Sequence, residues 1–234
     1  AAAAKAEKAA RAAAPKVAIK LQPVGPKKRA TKRSPPKSLD LCLILDCTGS
    51  MFNWIHRSKD TLREIIDHVR NTNSGLSVRV AFVAYRDVQD GKQRFSVTDF
   101  TENIDRVKAD IDAQPATGGG DFPEDVQGGF NQALHLAWTK DSIKMAFHIA
   151  DAPGHGRDIC DFGDNHPGGS PDGFKIQDQM REFAKREIGF TFVKVNESCN
   201  KMIKVMQESY DPTGTYMNVT DLSHACATKS QAEV

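Results

Sequence analysis

Several absences narrow this sequence before any motif is read. No run approaches ~18 consecutive apolar residues, so no transmembrane helix is expected. The N-terminus lacks the apolar core of a secretory signal. The 5 cysteines (Cys42, Cys47, Cys160, Cys199, Cys226) form no CxxC pair and no disulfide-framework spacing, which points to a reduced, intracellular and most simply cytoplasmic setting. Gly118-Gly119-Gly120 has no Gly-Lys-Ser or Gly-Lys-Thr after it, so a nucleotide P-loop is not supported. Acidic residues are almost missing from residues 1–38, where Glu7 stands alone among eleven Lys and Arg.

That last scarcity divides the chain. The formal net charge of +2 is the sum of about +10 in residues 1–38 and −8 in residues 39–234, a basic arm joined to an acidic domain. The arm is rich in Ala, Lys and Pro, and it reads as disordered or extended. Lys27, Lys28, Arg29, Lys32 and Arg33 are its candidate polyanion-binding residues, for nucleic acid or a cytoskeletal polymer. The alternative is a solvated linker. The expected organisation is therefore an arm at 1–38, one domain at 39–220 and a tail at 221–234.

Within the domain, strands and helices alternate. Leu41 to Leu45 is a continuous apolar run, the pattern of a strand covered on both faces. Residues 52–71 carry Ile55, Leu62, Ile65, Ile66 and Val69 at helical spacing. Val78 to Tyr85 reads as a strand, and Phe95 to Phe100 as an antiparallel edge strand. A short helix through Ile104, Val107 and Ile111 precedes a glycine-rich loop, and a further helix is expected from Pro123 through Trp138. Strands at Ile143 to Ala150, Phe190 to Val195 and Tyr216 to Val219 alternate with helices at Lys175 to Arg186 and Lys201 to Tyr210. The fold class expected is α/β, a doubly wound and mostly parallel sheet flanked by helices with one antiparallel edge strand.

Chemistry gathers where the strands end. Asp46 closes the first strand, and Thr48 and Ser50 follow at two-residue spacing; all three are hard oxygen donors suited to Mg²⁺, Mn²⁺ or Ca²⁺. A helix cap at Thr48 or Ser50 would be the simpler explanation of the hydroxyls. However, the loop from Thr117 to Asp121 and Asp151 also fall at strand ends, which a parallel sheet brings to one edge. Carboxylates gathered there need a cation.

In these motifs the chain resembles the von Willebrand factor A domain over about residues 39–220. The resemblance is closest to A domains of the alpha-kinase-linked type. It is carried by Leu45-Asp46-Cys47-Thr48-Gly49-Ser50-Met51, by Tyr85-Arg86-Asp87, by Ala116 through Asp121 with Pro123-Glu124-Asp125-Val126, and by His148 through Pro153. It implies a metal-ion-dependent adhesion site built from Asp46, Thr48, Ser50 and Asp151. Asp121 would stand where the family pattern has a threonine, with Thr117 in reserve. Met51, Arg86, Asp87, Glu124 and His155 are the candidate partner-binding residues around the site. The function implied is non-catalytic: an Asp or Glu of a protein partner completes the shell of a bound Mg²⁺, or of Mn²⁺ or Ca²⁺. The alternative is a structural subunit held by its basic arm, with a vestigial or merely stabilising metal site.

Two enzymatic readings fit less well. A haloacid-dehalogenase-like phosphohydrolase needs a second Asp two residues after the first, where Thr48 stands and cannot serve as acid or base. Only about fifteen residues follow Val219, too few here for the segments of a kinase. His148, His155, His166 and Cys160 fit no closed tetrahedral zinc spacing, and His148, inside a strand, is expected in the core.

Overall fold

The computed structural model describes residues 36–211 and 217–222. The basic arm with Lys27, Lys28, Arg29, Lys32 and Arg33, and all but the first two residues of the expected tail, lie outside the described residues.

Six strands form one sheet: β1 (Ser38–Asp46), β2 (Ser77–Tyr85), β3 (Phe95–Thr101), β4 (Ile143–Ala150), β5 (Ile188–Lys194) and β6 (Asn218–Asp221). Their order is β3-β2-β1-β4-β5-β6. Only β3 runs antiparallel to its neighbour, at the edge beside β2, as expected. The helices are α1 (Ile55–Thr72), α2 (Ile104–Asp112), α3 (Val126–Leu134), α4 (Ile176–Lys185) and α5 (Asn200–Tyr210).

The apolar run of β1 is explained by its central place. Leu39, Leu41, Leu43 and Leu45 pack with Leu62, Ile66 and Val107 of α1 and α2 on one face. Cys42 and Ile44 pack with Phe130, Met180, Phe183 and Met202 of α3, α4 and α5 on the other. A strand with helices over both faces has no side to leave polar. His148 of β4 lies in the second layer, fully buried, with Nε2 2.7 Å from the Tyr85 hydroxyl and the rings of Phe130 and Phe192 edge-on around it. Burial pulls its pKa down to about 3, so it is a neutral core histidine.

Some boundaries differ from the sequence reading. The helix expected from Pro123 begins instead at Val126, because Asp125 is its cap, accepting from the Gly128 amide at 2.9 Å and from Arg94 Nε at 2.6 Å. Glu124 is held out of the helix by its own amide, which donates to the Pro153 carbonyl at 2.9 Å in a one-residue parallel bridge to Gly154. The same helix stops at Leu134 rather than Trp138, whose indole N–H turns back to the Ala133 carbonyl. The last strand ends at Asp221, two residues beyond the expected end, and Tyr216, its expected start, lies outside the described residues.

Candidate metal centre

β1, β2 and β4 end side by side, and their loops are fastened to one another by backbone. The Cys47 amide donates to the Tyr85 carbonyl (2.9 Å), the Thr117 amide to the Cys47 carbonyl (3.0 Å) and the Gly49 amide to the Gly118 carbonyl (3.1 Å). Arg86, almost fully buried, holds the glycine-rich loop from below. Its guanidinium donates to the carbonyls of Thr117 (2.9 Å), Pro115 (2.8 Å) and Gln93 (3.1 Å).

On this frame the first-loop donors form one chain. The amide and hydroxyl of Thr48 donate to Asp46 Oδ1 at 2.9 and 2.7 Å; the Thr48 and Ser50 hydroxyls are 3.2 Å apart; and Ser50 Oγ donates to Asp151 Oδ1 at 2.9 Å. Asp46 and Thr48 are buried, whereas Gly49 and Ser50 are exposed, so the chain has a solvent-facing end. Thr48 stands before the 3-10 helix Gly49–Asn53 and makes no side-chain cap to it. Its hydroxyl is thus committed to the acids.

The second loop brings Glu124 to the group. Its carboxylate lies beside the Thr48 hydroxyl and faces the charges of Asp46, Asp87 and Asp151. Burial, and then these charges, push its pKa well up; burial and Asp151 do the same to Asp46, and burial raises Asp151. Asp46 Oδ2 and Glu124 Oε2 are both buried without a hydrogen-bond partner. Buried carboxylate oxygens left unpaired are costly. Three carboxylates and two hydroxyls, all hard oxygen donors with two oxygens unsatisfied, fit a divalent cation such as Mg²⁺.

Asp121 and Thr117 are placed differently. Asp121 Oδ2 accepts from the Asn165 amide at 2.6 Å, on the long loop that follows β4. Its carboxylate and those atoms of Asp87 and His155 that could ligate a metal lie within 4.8 Å of one another. Thr117 meets the first loop through its backbone.

The five residues expected around the site as partner contacts are placed below the surface. Met51, Arg86, Asp87, Glu124 and His155 are all buried, at 4% exposure or less. Met51 packs in the α1–α2 layer, and the other four hold the loops. The exposed large apolar residues near the motifs are phenylalanines. Phe52 is 72% exposed, and Phe122 and Phe162 stack at 4.1 Å between ring centroids while staying 42% and 47% exposed. The sequence signal was present, since Phe52 and Phe122 directly follow motif residues Met51 and Asp121, but periodicity gives an isolated loop aromatic no side.

His155 is a clamp. Its Nε2 donates to Asp87 Oδ1 and its Nδ1 to Asp164 Oδ1, both at 2.9 Å, which requires the imidazolium. Burial opposes the charge, but the two carboxylates outweigh it, so His155 titrates above its usual range; Asp87 and Asp164 titrate below theirs despite burial. The His155 contribution to stability is then complete below about pH 6.5 and lost as pH rises through its folded value. The aspartate contributions are complete above about pH 3.9 and lost as pH falls through theirs. We expect the Gly156 and His166 amides, which donate to Asp164, to be best protected from hydrogen exchange between about pH 4 and 6.5 and to lose protection above neutrality. Equal protection at pH 6 and pH 9, after correction for intrinsic rates, would contradict the clamp.

Comparison with known proteins agrees with this architecture. The family model for the von Willebrand factor A domain matches residues 40–161. The alpha-protein kinase vwkA of Dictyostelium discoideum is 32% identical over 158 residues, 68% of this chain and 25% of that protein. A putative ariadne-like RING finger protein, R811, of Acanthamoeba polyphaga mimivirus is 29% identical over 117 residues, 50% of this chain and 11% of that protein. The chain thus spans a quarter or less of the length of these relatives. Among solved structures, the pilus adhesin SpaC from Lactobacillus rhamnosus GG in its open conformation superposes with a TM-score of 0.57 at 16% identity. The superposition covers 88% of this chain and 31% of SpaC. Proximal thread matrix protein 1 from the mussel byssus, with a zinc-occupied MIDAS motif, gives a TM-score of 0.53 at 13% identity over 85% of this chain and 45% of its own. With the family match spanning just over half the chain and lying across β1, the glycine-rich loop and Asp151, this protein belongs to the von Willebrand factor A domain family.

Proposed function

We propose that this domain is a non-catalytic protein interaction module that binds an acidic residue of a partner through a divalent ion. The ion, Mg²⁺ in the first instance, is held by Asp46, Thr48, Ser50 and Asp151, with Glu124 as the second-loop donor. The observation that carries this reading is the pair of orphaned buried oxygens, Asp46 Oδ2 and Glu124 Oε2, in a group where Asp46 is joined through Thr48 to the exposed Ser50 and on to Asp151. A bound ion supplies a Lewis-acidic position for an oxygen ligand. The protein's own groups orient the donors and keep them dry on the buried side. Phe52, Phe122 and Phe162 offer apolar contact area near the opening. The four free cysteines among the described residues, all buried, support a reducing compartment.

The test is a panel of immobilised peptides, each with one Asp or Glu beside an aliphatic residue, probed with the full chain in Mg²⁺ and in EDTA. Binding that appears only in Mg²⁺ and disappears with Ser50→Ala supports the reading. Binding that survives EDTA but falls steeply with salt would instead assign recognition to the basic arm.

A further inference from the structure

Within that ion-dependent reading, on which this step rests, one acid has a second role. We infer that Glu124 is a resident ligand of the metal centre that competes with the partner's carboxylate, so that an acidic partner binds only as Glu124 is displaced.

Charge carries the first part of the argument. A divalent cation is neutralised by Asp46 and Asp151 alone. Glu124 is a third carboxylate against the same group, which leaves the loaded centre at −1 and removes its attraction for an external carboxylate. Such a centre retains its ion without help from a partner, because affinity for hard cations rises with the number of charged ligands.

Placement carries the second part. Glu124 is 3% exposed and has Oε2 without a partner in the protein. Its other oxygen lies against Gly119, where a Cβ would come within 2.8 Å of it; Gly119 also has φ +86°, which favours glycine there. The Gly119 amide in turn donates to Asp90 Oδ2 at 2.9 Å, fixing this stretch of loop over the acid. The backbone of Glu124 is pinned by its bridge to Gly154 and by the Val126 amide, which donates to its carbonyl at 2.8 Å. Displacement is therefore a side-chain rotation, with the exposed Gly118 and Gly120 flanking the lid it must pass.

The test uses the full chain with Mn²⁺ as the ion and acetate as the carboxylate. Water-proton relaxation reports both Mn²⁺ occupancy and the waters exchanging on the bound ion. In the wild type we expect Mn²⁺ to bind and millimolar acetate to leave the relaxivity of the complex unchanged. Glu124→Gln should weaken Mn²⁺ binding by about tenfold or more, raise the relaxivity per bound ion and make it fall on addition of acetate. Glu124→Thr should behave alike, and serves if the glutamine variant does not fold. An acetate response already present in the wild type overturns the inference without any variant, as does unchanged Mn²⁺ affinity in both Glu124 variants. If the wild type binds no Mn²⁺, it is the ion reading itself that fails.

Discussion

Saturating Mg²⁺ or Mn²⁺ is expected to raise the melting temperature of the full chain by about 5–10 °C, and Asp46→Asn is expected to abolish the rise. An ion that binds only the native state at about one hundred times its Kd adds about 2.7 kcal/mol, and a domain of this size moves by roughly 2–4 °C per kcal/mol. Asparagine is the informative substitution because its carbonyl still accepts from the Thr48 amide and hydroxyl, which bond Asp46 Oδ1 at 2.9 and 2.7 Å. The loop therefore keeps its shape, and only the charge and the orphaned Oδ2 are lost. The sign reverses without the ion. Burial and the Asp151 charge make the Asp46 carboxylate costly when no cation is bound, so in EDTA the variant should equal or exceed the wild type in stability. Thermal unfolding of both proteins in EDTA, Mg²⁺ and Mn²⁺ reads all six values. A rise that persists in the variant would remove Asp46 from the ligand set, and no rise in the wild type would remove the centre.

The second large effect is expected at Arg86. Arg86→Met should cost on the order of 3–5 kcal/mol of stability and weaken ion binding as well. The methionine occupies similar space but leaves the Thr117, Pro115 and Gln93 carbonyls without their donor. It also removes the positive charge that offsets Asp46 from the buried side. Lysine should recover little, since one ammonium cannot reach three divergent carbonyls as the planar guanidinium does. Because the Thr117 and Gly118 stretch docks on Cys47 and Gly49, loosening it should release the first loop that carries Thr48 and Ser50. Chemical denaturation measures the first effect and Mn²⁺ titration the second. A variant that loses stability but retains full ion affinity would confine Arg86 to scaffolding.

Much of this was legible beforehand because it depends on local pattern. The two-sided apolar run of β1, the helical stripe of α1 and the edge character of β3 each follow from the spacing of apolar residues, and so does the alternation that makes the sheet parallel. Asp46 and Asp151 were legible as strand-end acids, since a parallel sheet delivers such ends to one edge whatever the loops do. Thr48 and Ser50 were legible as hydroxyls beside Asp46, but their spacing alone fits a helix cap equally well, and it was the resemblance that joined them to the acids.

What the sequence by itself determined, then, was the sheet, its layers and the meeting of Asp46 and Asp151 at one sheet edge. Tertiary structure alone decided the second loop, where Asp121, Glu124 and Asp125 compete within five residues. A bridge from Glu124 to Gly154, a cap at Asp125 and a tether from Asn165 to Asp121 send the three acids to three different places. It also decided that Met51, Arg86, Asp87 and His155 are buried, while Phe52, Phe122 and Phe162 are exposed. The physical reason is range. Apolar periodicity is a property of neighbouring residues, whereas the direction of a side chain in a glycine-rich loop is set by hydrogen bonds to strands and loops far away in the chain.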